Sequence, residues 1–201
     1  MALRVILGSS SPIRARLLSE MTSEFVVRSP DIDEAAVQVD GVADRERSDP
    51  TQLTLAIARA KSDAIRKQLD AGERALVVTM DSLATYDGVI RGKPTSRGQC
   101  RSWMMEYMVK PVHACTAVVV YNTVTGAHAE GVATGSQLFH RMPDEELTAL
   151  LDEQEILTCA GGYIVSCPRI QRFLSTREGS LYTLMGFPRE LLSQLLDQVR
   201  V

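Results

Sequence analysis

Charged residues of both signs stand at places in this sequence where phosphate chemistry would use them. Asp81 is a carboxylate inside the apolar run VVTMDSL, so it must be satisfied in the core or face a cleft at a strand end. Lys93 sits in a Gly-Lys-Pro corner, Lys61 on the polar side of a helical pattern, and Glu34 in an acidic stretch. Each could equally be a solvated surface side chain. Together, carboxylates that could hold a metal and cations that could bind phosphates indicate cleavage of a phosphoanhydride.

The N-terminal stretch LRVILGSSSPIRARLLSEM adds a candidate phosphate site. An apolar run predicts a strand, and a serine-rich turn then leads into a helical pattern. Ser11 suits the N-cap and Pro12 the first helical position. Backbone N–H groups, the hydroxyls of Ser9 and Ser11, and the positive end of the helix dipole would converge there, with charge added by Arg14. An ordinary strand–helix connection with a good cap explains the same pattern.

Length, charge and cysteine usage narrow the class of protein. The chain of 201 residues is expected to form one domain, 1–201, of two lobes. Its net charge of −3 argues against binding to nucleic acid or to an anionic membrane. No apolar run approaches the ~20 residues of a membrane helix, and the first run is too short for a signal peptide. Four cysteines without a CxxC pair favour reduced thiols, so we expect a cytoplasmic protein.

Strand and helix patterns alternate along the chain, which predicts an α/β fold with a mixed sheet. Strands are predicted at 3–7, 25–28, 75–83, 89–91, 113–121 and 127–139, from 163 to 165, and at 180–185. Helices are predicted from residue 12 and at 51–69, 96–108, 143–151 and 188–199. The acidic segment 29–50 is expected to be a long loop of the kind that is often functional. Asp81 would lie near the end of its strand.

Several short motifs, in this order, resemble those of the Maf family, also called septum-formation inhibitor Maf-like proteins. They are SSSPIR at 9–14, DE at 33–34, ARAK at 58–61, TMDS at 79–82, GKP at 92–94, TAV at 116–118, AGGY at 160–163 and GFP at 186–188. Each motif is weak alone, whereas the ordered set is specific and covers nearly the whole chain. Neither GxxxxGK[ST] nor GxGxxG is present, so the sequence does not indicate a P-loop enzyme or a dinucleotide-binding fold.

The resemblance implies a nucleoside triphosphate pyrophosphatase that removes non-standard nucleotides. It implies two α/β lobes around a central cleft, built on a mixed, elongated sheet flanked by helices as in Maf and ITPase-like proteins, often as a homodimer. It also implies a divalent cation, Mg²⁺ or Mn²⁺, and a nucleoside triphosphate substrate. The implied catalytic residues are Asp81, Lys61 and Lys93, the implied metal ligands are Glu34 and Asp81, and the implied substrate-binding residues are Ser9, Ser11, Ile13, Arg14, Ser82 and Ser166.

Departures from the family pattern bear on substrate choice. Much of the family has a second arginine where Ile13 stands, a lysine at Cys159 and a glutamine at Ser166. A branch associated with 7-methyl-GTP has a bulky apolar residue and a cysteine at the first two positions, so Ile13 and Cys159 point to that branch. Ser82 and Ser166 fit neither branch, which leaves a pyrimidine triphosphate open. The missing lysine and glutamine also leave open a nucleotide-binding regulator of cell division with little turnover.

Overall fold

A computed structural model describes residues 3–39 and 45–200 of the chain. Its strands are β1 (Arg4–Gly8), β2 (Phe25–Arg28), β3 (Ala75–Tyr86), β4 (Val89–Arg91), β5 (Val112–Asn122), β6 (His128–Phe139) and β7 (Leu174–Glu178). Its α-helices are α1 (Pro12–Ser19), α2 (Pro50–Lys67), α3 (Arg97–Glu106), α4 (Asp144–Asp152), α5 (Pro168–Gln171), α6 (Leu181–Leu184) and α7 (Arg189–Val199). Short 3-10 helices lie at Glu34–Ala36, Arg45–Arg47, Gln154–Thr158 and Ala160–Gly162.

The strands form one 7-stranded mixed sheet in the order β2-β1-β3-β5-β6-β7, with β4 paired to β3. β1 runs parallel to β2 and β3, and the other pairs are antiparallel. Val78 and Met80 pack on one face of the sheet with α1 and α7, while Val77 packs on the opposite face against Ile65 of α2. Helices therefore cover both faces, which confirms the predicted α/β class.

A gap in the pairing of β3 creates the site. β5 pairs with residues 76–85 of β3, so β1 and β4 must share the opposite edge. On that edge the last pair of β1 joins Gly8 to Thr79, and the first pair of β4 joins Arg91 to Ala84. Within the described ranges, residues 80–83 therefore have no strand beside them on this edge. The gap lies beyond the carboxyl end of β1, where α/β sheets bind ligands.

Two large apolar cores lie on either side of this gap and correspond to the predicted lobes. One core lies beneath α1 and α7 and includes Phe187. The other contains Tyr107, Phe139 and Tyr163 and draws on α3, α4 and α5. No helix in the described part of the chain is long and apolar enough to cross a membrane.

Three sequence expectations are wrong. The segment 163–165 is irregular, a bend at Tyr163 followed by a turn that begins at Val165. The segment predicted as a strand at 180–185 contains the helix α6, because Ser180 caps it by accepting a hydrogen bond from the Thr183 N–H. The strand of this region is β7, which pairs with β6 at the sheet edge. Asp81 lies within β3 rather than near its end, because the strand continues to Tyr86. In the loop at 29–50, residues 40–44 lie outside the described residues.

Candidate active site

A cleft of about 380 Å³ opens at the gap beside β3, between the two cores. It brings together every side chain that the sequence predicts for the site: Ser9, Ser11, Ile13, Arg14, Glu34, Lys61, Asp81, Ser82, Lys93 and Ser166. Cys159 lines the same cleft. Residues that are up to 157 positions apart in the chain thus meet in one place. Their chemical roles remain predictions.

Lys61 joins the two carboxylates of the site. Its Nζ lies 2.8 Å from Asp81 Oδ1 and 2.8 Å from Glu34 Oε1. The side chains of Lys61 and Asp81 are each 6% exposed, whereas that of Glu34 is 53% exposed. Asp81 faces α2 because alternate residues of β3 point to opposite faces, and α2 carries Lys61 on its sheet-facing side. A buried lysine and a buried carboxylate need each other, since either would be very costly alone.

Asp81 has the properties of a cation ligand or a base. Burial raises its pKa, although the charges of Lys61 and Arg14 lower it. Its second oxygen, Oδ2, is buried and has no hydrogen-bond partner among the described residues. A divalent cation would satisfy this oxygen, and Glu34 supplies a second carboxylate beside it. No cluster of three metal-binding side chains occurs in the described ranges. Two carboxylates nevertheless suffice for Mg²⁺ when substrate phosphates complete the shell.

The serine turn between β1 and α1 has the predicted cap. Ser11 Oγ accepts a hydrogen bond of 3.4 Å from the Arg14 N–H, and Ser9 Oγ accepts one of 3.1 Å from the Ser11 N–H. Because both oxygens act as acceptors here, their own hydroxyl hydrogens can be donated to a phosphate. Lys93 is exposed at the cleft and pairs with no carboxylate of the described residues. These groups make one side of the cleft suitable for a polyanion.

Arg14 and Ser82 bond to the protein itself, which their predicted role in substrate binding did not anticipate. Arg14 donates through Nε to the Gly186 carbonyl (3.0 Å), through Nη1 to the Met80 carbonyl (2.9 Å) and through Nη2 to Ser82 Oγ (2.9 Å). Burial lowers the pKa of Arg14, an effect that the nearby Asp81 carboxylate opposes. Arg14 thus links the two sides of the gap in the sheet through these bonds. It also lines the cleft.

Comparison with known proteins agrees with these motifs. A family model described as Maf-like protein matches residues 4–199. The chain belongs to the Maf-like family. It is 35% identical over 200 residues to a 7-methyl-GTP pyrophosphatase of Dictyostelium discoideum, covering 97% of this chain and 96% of the relative. It is 28% identical to proteins of the same name from Idiomarina loihiensis and Vibrio parahaemolyticus, covering 98% of this chain and 94% of each relative.

The remaining wall of the cleft in this Maf-like protein is mainly apolar. Its apolar part consists of Ile13, Ile164, Val165, Leu184 and Met185. These side chains come from the start of α1, from the turn after Ala160–Gly162 and from α6 with the turn that follows it. The wall offers space for a flat base but few fixed hydrogen-bond donors.

Sequence reasoning missed several lining residues of this Maf-like protein, including Tyr163, Leu184 and Met185. A signal for them was present, since Tyr163 ends the AGGY motif and the GFP motif directly follows Leu184 and Met185. Tyr163 is buried, and burial raises the pKa of its hydroxyl, so it remains neutral. Cys159 is half-buried, and burial likewise raises the pKa of its thiol. Neither side chain therefore adds charge to the apolar part.

Proposed function

We propose that this Maf-like protein hydrolyses a nucleoside triphosphate to the monophosphate and pyrophosphate. The observation that carries the proposal is the pairing of Lys61 with both Asp81 and Glu34 inside the cleft that the serine turn and Lys93 also line. Carboxylates for a cation and positive groups for a triphosphate thereby face one cavity. This combination is what cleavage of a phosphoanhydride requires.

In the proposed mechanism, water attacks the α-phosphorus and pyrophosphate leaves. Asp81 takes a proton from the water or holds the cation, and both roles need its ionised form, which Lys61 favours. Lys93, Ser9 and Ser11 bind the phosphates and neutralise developing charge, an effect that is usually large in catalysis. Mg²⁺ or Mn²⁺ held by Asp81 and Glu34 would supply Lewis-acid polarisation of a phosphate oxygen.

We further propose 7-methyl-GTP as a preferred substrate, consistent with the names of the relatives. A 7-methylated guanine carries a positive charge, so cationic side chains near the base would repel it. Ile13 and Cys159 stand where much of the family has arginine and lysine, and both are uncharged. The apolar part of the cleft therefore tolerates a methylated, cationic base better than an arginine-lined wall would. Removal of such modified nucleotides is the proposed cellular role.

Product analysis tests the reaction directly. Purified protein is incubated with 7-methyl-GTP, dTTP, UTP or dATP in the presence of Mg²⁺ or Mn²⁺, and the products are separated by chromatography. We expect a monophosphate and pyrophosphate, with 7-methyl-GTP preferred and dATP poor. A diphosphate with orthophosphate would reject the assignment. Tight nucleotide binding without products would favour the non-enzymatic regulator instead.

A further inference from the structure

A chain of hydrogen bonds runs behind the cleft, across the sheet. Arg14 Nη2 lies 2.9 Å from Ser82 Oγ, which lies 3.0 Å from Thr116 Oγ1, which in turn lies 3.2 Å from the Thr183 carbonyl of α6. Ser82 of β3 and Thr116 of β5 are directly opposed in the antiparallel register, so their side chains share a face of the sheet. Thr116 is fully buried and does not line the cleft.

The direction of every bond in this chain follows from the donors available. A carbonyl can only accept, so the hydroxyl hydrogen of Thr116 is donated to Thr183. A hydroxyl has one hydrogen, and Thr116 Oγ1 must therefore accept from Ser82. Ser82 Oγ, having donated its hydrogen, presents only lone pairs to Arg14. Thr116 thus fixes Ser82 as an acceptor, which is the form that the guanidinium of Arg14 needs.

The guanidinium of Arg14, where this series of hydrogen bonds begins, fixes the backbone around Asp81. It bonds to the Met80 carbonyl and to the Ser82 hydroxyl, and these two residues flank Asp81. It also bonds to the carbonyl of Gly186, where a Cβ would lie 2.7 Å from Ser82 Oγ and 3.4 Å from Arg14 Nη2. Close packing at Gly186 leaves the guanidinium little room for another arrangement.

We propose that Thr116 is a positioning residue for the reaction, acting through Ser82 and Arg14 to hold the Asp81 segment of β3 in its working position. The inference rests on the proposed function for its kinetic consequence, although the geometry that it predicts can be tested separately. The Thr116 hydroxyl does not line the cleft and bonds to neither Asp81 nor Glu34. Its effect is therefore expected on turnover more than on substrate affinity.

Thr116→Val keeps the shape of the side chain and removes its hydroxyl. Ser82 then loses its acceptor, and the Thr183 carbonyl loses its side-chain donor but keeps the backbone N–H of Gly186, so the link to Arg14 is no longer fixed. We expect kcat to fall about 10- to 100-fold, the scale of a small misplacement, with KM little changed. Thr116→Ser keeps the hydroxyl and should restore kcat.

Thr54→Val is the matched control. Thr54 is also fully buried, and its hydroxyl donates to the backbone carbonyl of Pro50, but it has no link to Arg14. It should resemble Thr116→Val in thermal unfolding while keeping wild-type kcat. Equal losses of kcat in the two variants, or no rescue by Thr116→Ser, would reduce Thr116 to a structural role and overturn the inference.

Crystal structures of wild type and Thr116→Val separate this inference from the proposed function. We expect the Arg14 guanidinium to leave Ser82 Oγ or the Met80 carbonyl in the variant. A guanidinium that keeps both bonds would overturn the inference whether or not the protein turns over a nucleotide. Absence of pyrophosphate release by the wild type would instead reject the proposed function, while a displaced Arg14 would still support the positioning role.

Discussion

The charged part and the apolar part of the cleft are built in different ways. Lys61 and Asp81, in the charged part, lie on a long helix and a central strand, are nearly fully buried, and bond to each other. In the apolar part, Val165 and Met185 come from turns and are only partly buried, although Leu184 of the short helix α6 is buried. Rigid elements thus hold the groups that would perform the reaction, whereas turns form the wall that would select the base. Turns tolerate substitution better than buried pairs do.

The strongest test of the charged part is Asp81→Asn, which keeps the shape and removes the negative charge. We expect turnover to fall by about 10²- to 10⁴-fold, the scale associated with loss of a general base. The assay is pyrophosphate release at saturating nucleotide. Asp63→Asn, an exposed carboxylate paired with Arg66 on α2, serves as the control and should keep full activity. Near-normal turnover by folded Asp81→Asn would remove Asp81 from the mechanism.

Lys61→Met tests whether the charged part depends on its buried pair for stability. Loss of the ammonium leaves the ionised Asp81 uncompensated, which is expected to lower the free energy of unfolding by about 3–5 kcal/mol. Chemical denaturation at neutral pH measures this change, and turnover should fall with it. The exposed Lys67→Met on the same helix should be nearly neutral.

A double variant sharpens that test. When Lys61→Met is combined with Asp81→Asn, no charge remains buried without a partner, so much of the lost stability should return. Additive losses in the double variant would mean that the two side chains do not stabilise each other.

The pH dependence of stability should distinguish the two parts as well. Burial raises the pKa of Asp81 in the folded protein above the ordinary 3.8. At a pH between 3.8 and that raised pKa, the folded protein therefore holds a proton that the unfolded chain has released. Stability of the wild type therefore falls as the pH rises through this window, and Asp81→Asn removes that fall. Urea unfolding in metal-free buffer should show the variant gaining relative to the wild type from about pH 4 upward. Parallel pH profiles would contradict the raised pKa.

The charged part was largely predictable from sequence, because its residues carry local signals. Asp81 stands out as a carboxylate within an apolar strand, and Ser11-Pro12 is a recognisable helix start. What the sequence could not reveal is how these groups bond. The partners of Arg14 lie 66, 68 and 172 positions away, and no local pattern indicates that its guanidinium would be held by the protein.

The apolar part was predicted less well because its elements are short. The run LYTLM after Ser180 fits a strand or a helix equally, since periodicity cannot separate the two over so few residues. The cap at Ser180 and the positive φ angles of Gly179 and Gly186 decide for a helix. The strand β7 was not predicted because LSTRE is polar and lies at the sheet edge, where one side needs no apolar cover.

Ile13→Arg tests the apolar part and is expected to have the smallest effect. Ile13 lines the cleft at the start of α1 and is 41% exposed, so a longer side chain can be accommodated without disturbing the core. An arginine there would repel the cationic base of 7-methyl-GTP and could donate hydrogen bonds to the oxygens of a pyrimidine. We expect the ratio of kcat/KM for 7-methyl-GTP to that for dTTP or UTP to fall about tenfold, the low end of discrimination by apolar contact.

Ile13→Gln is the control, because it adds donors without charge and should change the ratio less. An unchanged substrate profile in Ile13→Arg would show that selection of the base lies elsewhere in the wall, with Cys159→Lys as the next variant to examine.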